Sequence, residues 1–85
     1  MPNPFRGHAS LALMLARRGP LKIALYDVNG RRVRNVHEHA DAAAGTHRFD
    51  LDGRNDRGER LGPGVFFYRI DSADGARQGR FVVLE

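Results

Sequence analysis

Apolar and polar residues alternate with a period of two along almost the whole chain, a pattern that leaves few folds open. In SLALML, Leu11, Leu13 and Leu15 point one way while Ser10, Ala12 and Met14 point the other. In LKIALYDV, Leu21, Ile23 and Leu25 share a face opposite Lys22, Ala24 and Tyr26. In THRFDLD, His47, Phe49 and Leu51 oppose Arg48, Asp50 and Asp52. GVFFYRIDS, from Gly64, is the segment richest in Val and aromatic residues, which suit a pleated surface. GRFVVLE closes the chain as a further strand. A helix competes only over residues 9–16, where Ala, Leu and Met favour it. The flanking Gly and Pro signals and the neighbouring strands decide for a strand there.

The turn signals fall between these runs. Asn29-Gly30, set between two alternating segments, predicts a two-residue type I′ hairpin joining strands 21–28 and 31–37. RRGP and Asp74-Gly75 mark two more turns, and the Ala-rich HADAAAGT reads as a loop able to hold a helical turn. MPNPFRG, with two prolines in four residues, is an extended lead-in over 1–7, leaving 8–85 as one domain. The expectation is an all-β sandwich or barrel of about six to seven antiparallel strands. The strand from Gly64 should be the most buried, with Phe66, Tyr68 and Ile70 packed on Leu21, Ile23 and Leu25.

With 85 residues there is room for one small domain, which buries only roughly 60% of its unfolded surface. There is no cysteine, so neither a disulfide nor a thiolate metal site assists it. The formal charge is +4, and every basic residue except Lys22 is an arginine. That permits a polyanion-binding role, with nucleic acid the extreme case, but the arginines are scattered and most sit at turn signals. The apolar run LALMLA is far shorter than the about 20 residues a spanning helix needs, so the chain is not read as membrane-spanning. Two arginines follow that run in place of a small-residue cleavage site, so any export signal lies outside this chain.

Chemistry is sparse. In DLDGRNDRGERLGPG, the oxygens of Asp50, Asp52, Asn55, Asp56 and Glu59 suit calcium, but Arg54 interrupts the spacing of a calcium loop. The preferred reading is an ordered connection in which Asp and Asn side chains bond to backbone N–H groups and Gly53 and Gly58 supply unusual φ. His37 and His39, two apart on a strand, share a face and with His47 form a candidate metal set; solvated edge histidines are preferred, and His8 stands apart. Ser10 and Ser72 have no nucleophile context, and no carboxylate pair suggests a cleft. No enzyme and no cofactor are expected.

Several short stretches occur together in a telling order: PNPF (Pro2, Asn3, Pro4, Phe5), then Tyr26-Asp27 with Gly30, Arg31 and Val33, then Ala44-Gly45, then Asp52-Gly53 with Asp56 and Gly58, then Gly64 with Phe66 and Tyr68. This pattern resembles the immunoglobulin-like domain named after the flagellar hook-capping protein. It is also similar to the C-terminal sorting domain of type IX secretion cargo. The resemblance covers nearly the whole chain. It departs at Leu51, where the families usually have Trp, at Phe66, where they usually have Tyr, and at FVVLE, which lacks the basic tail common in sorting domains.

What the resemblance implies is an immunoglobulin-like sandwich without catalysis, one domain of a longer exported bacterial protein. It would act outside the cell or at its surface, in sorting or recognition, with a protein partner in the secretion machinery, the cell surface or a neighbouring subunit. The alternative it implies is a structural assembly module, as in hook capping. Strand 9–16, with its leucines and few charges, is a further candidate for self-association if it lies at a sheet edge.

Overall fold

In the computed structural model the described residues are 3–5 and 9–84; Pro2 and His8 lie outside them. Seven strands follow one another: β1 (Asn3–Phe5), β2 (Ala9–Leu15), β3 (Gly19–Tyr26), β4 (Arg32–Ala42), β5 (Gly45–Leu51), β6 (Gly64–Ser72) and β7 (Gly75–Val83). They form a five-stranded sheet in the order β1-β7-β6-β3-β4 and a two-stranded sheet of β2 and β5. All neighbours run antiparallel except β1 and β7, which are parallel, Asn3 facing Phe81. The expectation of antiparallel strands therefore fails at one pair, where the lead-in and the last strand run the same way.

The hydrophobic core lies between the two sheets. One half gathers Leu15, Leu21, Ile23, Ala42 and Ile70, with Leu11, Leu13 and Phe49 of the small sheet packed on it. The other gathers Leu25, Phe81 and Val83, with Ala9, Val33, Leu51, Leu61 and Phe66. Val36 and Tyr68 touch both halves. The alternation read from β2 and β5 places Leu11, Leu13, Phe49 and Leu51 inward and Ser10, Ala12, Met14, Arg48 and Asp50 outward.

Three expectations are corrected. The most buried strand is β3, not β6: Leu21, Ile23, Ala24 and Leu25 are all buried, whereas β6 buries only Ile70 fully. β6 also lies inside the sheet, but its outward Val65, Phe67 and Arg69 are exposed and Phe66 and Tyr68 are only half-buried, whereas β3 buries Ala24 as well as Leu21, Ile23 and Leu25. The Ala-rich segment is not a loop up to Ala42. β4 continues through it because Gly19 pairs with Ala42, whose methyl is buried, and this pairing outweighs helix propensity. The β3–β4 connection is not a type I′ turn. Among the described residues no side-chain-bearing residue has positive φ, so Asn29 cannot take that geometry.

Instead, Gly30 N–H donates to Asp27 C=O at 3.1 Å and Asp27 N–H to Arg31 C=O at 3.0 Å, with Gly30 at φ 79°. This is a type I turn followed by a left-handed glycine bulge. The Asp27 carboxylate selects it by accepting the N–H groups of Asn29 and Arg31 at 2.9 and 3.0 Å. The β6–β7 loop likewise consists of Ala73-Asp74, with Ser72 and Gly75 as the closing pair. Asp74 reaches back to accept the Ala16 N–H at 2.8 Å, fixing the end of β2.

Candidate functional site

Two regions gather the residues that the sequence singled out. The first is the connection between β5 and β6. Asn55 N–H donates to Glu59 C=O at 2.8 Å and Gly58 N–H to Asn55 C=O at 3.0 Å, with Gly58 at φ 82°. The Asn55 Oδ1 accepts Arg57 and Glu59 N–H at 2.9 and 3.0 Å. Arg54 bridges to Arg60, and Leu61 N–H donates to Gly53 C=O, so 53–61 is a miniature hairpin. Its tip is bound to the edge of β4. Asp56 N–H donates to Val33 C=O at 2.9 Å, and the Asp56 Oδ1 accepts Asn35 N–H at 2.9 Å. Arg34 clamps the same loop through Asn55 C=O at 2.9 Å.

The oxygens considered for calcium are turned to this internal bonding. Asp52 Oδ1 accepts Arg54 N–H at 3.1 Å, Glu59 Oε1 faces the Asn55 amide at 3.2 Å, and Asp50 meets Ser10 Oγ at 3.4 Å across the strands. Among the described residues, no three His, Asp or Glu converge on a point suited to a metal. The histidines are arranged around a ring instead. His37 lies 4.7 Å from Phe49 between centroids, and His47 stacks on the same ring at 6.3 Å. His39 stacks on His37, its Nδ1 accepts Asp41 N–H at 3.2 Å, and His47 Nε2 meets Ala43 C=O at 2.6 Å.

The remaining motif residues sit at joints of the fold. Asn3 and Pro4 belong to β1, Tyr26 ends β3, Gly45 opens β5 and Gly64 opens β6. Arg31 pairs with Asp27 at 3.4 Å, and Val33 packs in the second half of the core. The Asp27 carboxyl is held below the usual carboxylate range, chiefly by the Arg31 N–H, with Asn29 N–H and the Arg31 guanidinium adding to it. Phe66 stacks on Phe81 at 5.8 Å. Tyr68 lies across Gly79, where a Cβ would collide with its ring and hydroxyl; only glycine leaves room for this ring.

The second region, missed from sequence, is the outer face of the five-stranded sheet. The register lines up Arg32, Tyr26, Phe67 and Arg80 in one row across β4, β3, β6 and β7. Val65 pairs with Val82 beside that row, and Val28 projects from the turn. Val28, Val65 and Phe67 are exposed at 67%, 38% and 39%. Lys22, Arg69, Asp71 and Gln78 complete an open groove of about 570 Å³ next to Tyr26 and Phe67. Arg69 is bound to Asp71 at 3.0 Å, a hydrogen bond that raises its pKa further. With Phe66, Tyr68 and Ile70 turned to the core, alternation puts Val65 and Phe67 on the opposite face, but the apolar run of β6 gives no sign that this face stays open.

The fold agrees with that of known proteins. The family model described as the FlgD Ig-like domain matches residues 4–76. Among solved structures, FlgD of P. aeruginosa superposes with a TM-score of 0.65 at 23% identity, covering 86% of this chain and 57% of that one. FlgD of Xanthomonas campestris, whose structure is described as giving insights into the hook capping essential for flagellar assembly, gives 0.58 at 22% identity, covering 89% and 55%. PorZ of Porphyromonas gingivalis, a bacterial surface component of the type IX secretion system, gives 0.63 at 18% identity, covering 99% of this chain and 11% of PorZ. No curated protein matches the sequence significantly. The chain thus spans little more than half of the two FlgD chains.

Proposed function

Because this chain belongs to the FlgD Ig-like domain family, we propose that it is a non-catalytic assembly module of a bacterial exported or surface structure. It works by packing the outer face of its five-stranded sheet against a protein partner. The observation that carries this reading is the row of half-buried Tyr26 and exposed Phe67 flanked by exposed Arg32 and Arg80, with Val28 and Val65 beside it. Aromatic and arginine side chains on a rigid sheet are the residue types that dominate protein interfaces. Ser10 and Ser72, the chain's only serines, have their hydroxyls in cross-strand and turn hydrogen bonds, and this supports the absence of catalysis. Arg18, Arg31 and Arg69 are tied to Asp41, Asp27 and Asp71, which weakens the polyanion-binding alternative. Among the described residues no helix is long and apolar enough to cross a membrane.

Substituting Phe67→Glu tests the reading. Phe67 lies outside the core, so the variant should melt within about 0.5 kcal/mol of the parent, as surface changes usually do. In cells lacking the parent gene it should fail to enter the surface assembly on fractionation. Normal incorporation of a folded variant would overturn the proposal. A sorting role, also implied by the sequence resemblance, draws its support from the likeness to PorZ. It predicts that a reporter carrying this domain at its C-terminus leaves the cell only when the domain is intact.

A further inference from the structure

We propose that the free edge of β2 pairs with β2 of a second copy, antiparallel and centred on Ala12. The two small sheets then become one four-stranded sheet in the order β5-β2-β2-β5. This gives the assembly reading one specific partner, the chain itself, and rests on a different surface from the outer face of the large sheet.

The four sheet edges are not equivalent. β1 is three residues long and contains Pro4, which cannot donate to a ladder. β4 is irregular, with register shifts between Gly19 and Leu21, Ile23 and Ala24, and Leu25 and Tyr26. Its outer backbone at Val33 and Asn35 is already bonded to Asp56. β5 is regular, but pairing it with a copy about its centre would set Arg48 directly against the partner's Arg48, a destabilising contact. β2 has none of these guards. Its seven residues, ASLALML, carry no charge and no proline, and its ladder with β5 runs from Ala9–Leu51 to Leu15–Gly45 without a shift. Among the described residues, β5 is its only strand neighbour.

The sequence of β2 is complementary to itself in this register. About a two-fold axis through Ala12, Leu11 faces the partner's Leu13, Ala9 the partner's Leu15, and Ser10 the partner's Met14. Every inward residue meets an inward residue, and every outward residue an outward one. A shift by one residue would reverse that match. A neutral strand matters in a chain of net charge +4, because two copies can approach here without placing like charges side by side. The inner face also has capacity. Two strands cover a five-stranded sheet only partly, and the inward Leu11, Leu13 and Phe49 remain half-buried. A two-fold axis closes the pairing at a dimer, since each copy has one β2 edge.

Ala12 sits on the axis and is exposed, so substitutions there probe the contact without touching the core. Sedimentation equilibrium of the full chain should show a concentration-dependent, about twofold rise in mass. A12K, placing two ammonium groups at the axis, should return it to the monomer. The chain has no cysteine, so single-cysteine variants report proximity directly. Antiparallel neighbours lie about 4.5–5.5 Å apart between Cα atoms, within disulfide reach. A12C should therefore crosslink to a dimer under mild oxidation, while R48C, on the adjacent strand, should not. A monomer at every concentration, equal crosslinking of A12C and R48C, or mass climbing past the dimer would each overturn the pairing. None of these outcomes bears on the Phe67→Glu experiment, whose failure would overturn the outer-face reading alone.

Discussion

The turn at Asp27–Arg31 and the turn at Asn55–Glu59 are built alike and used differently. In each, the first side chain accepts N–H groups two and four residues on, a glycine at φ near 80° takes the fourth place, and the first and fifth residues bond through the backbone. The first turn joins β3 and β4, strands of 8 and 11 residues. The second is flanked by a single bridge, Arg54 to Arg60, and is held in place by a contact with β4. One local hydrogen-bond pattern thus fixes the shape of a turn and leaves its purpose to what surrounds it. At the second position the first turn carries Val28, which reaches solvent; the other carries Asp56, which seals the β4 edge.

The largest effect that separates the two turns should come from the glycines. Gly30→Ala and Gly58→Ala both force a Cβ into left-handed backbone with no neighbouring atom in the way, a strain of about 1–2 kcal/mol. Strain in the first turn has no escape short of unpairing β3 from β4. Gly30→Ala should therefore lower the melting temperature by about 4–8 °C per kcal/mol, as for domains of this size. Strain in the second can be released by local opening, so Gly58→Ala should cost less in global melting. It should instead speed amide exchange over 54–60. Equal melting shifts would mean that the second turn is as integral to the fold as the first.

Next in size is the second turn position. Asp56→Ala leaves the Asn35 N–H without its acceptor and should cost about 1 kcal/mol, with loss of exchange protection at Asn35. Val28→Ala, its counterpart, should leave denaturant midpoints nearly unchanged, because the side chain is solvated. An equal loss from both would show that Asp56 is not a clamp.

The smallest effect is titration. Asp27 has a lowered pKa when folded, so its carboxylate stabilises the turn above the usual carboxylate range. That contribution is lost as pH falls through the folded value. Asn55, the equivalent cap, does not titrate. Asp27→Asn should therefore flatten the acid limb of the stability curve, whereas Asn55→Ala should lower stability without changing that limb. An unchanged limb in Asp27→Asn would detach its carboxylate from acid stability.

Much of the scaffold was readable because β2 and β5 keep strict alternation, and alternation is what one covered face imposes; β3 alternates in sequence but buries Ala24 between Ile23 and Leu25. β4 was cut short at residue 37 because its register shifts break the period: Asn35 and His37 pair with consecutive residues of β3, which makes Val36 the extra residue. The turn at Asn29-Gly30 was located but mistyped, since the choice was made by the Asp27 carboxylate and not by the dipeptide. The Asp56 clamp announced itself only as an acid in a loop; its partner stands 21 residues earlier, at a distance that no local pattern records. The outer face escaped notice for a similar reason. Whether Val65 and Phe67 are covered depends on how far a second sheet extends, and here it supplies two strands and covers only the opposite side.

The place of Tyr68 across Gly79 bears on how the molecule comes apart. Among the described residues, only Val36 and Tyr68 belong to both halves of the core. Tyr68 keeps its position because the residue beneath it has no side chain. The two halves are thereby coupled, and loosening either one loosens the ring that the other also needs. The chain has no tryptophan and only two tyrosines, so near-ultraviolet dichroism is dominated by few chromophores. One of them sits at the coupling point. Its signal is therefore a direct report of cooperativity: a single sharp loss on heating means that the domain melts as one body.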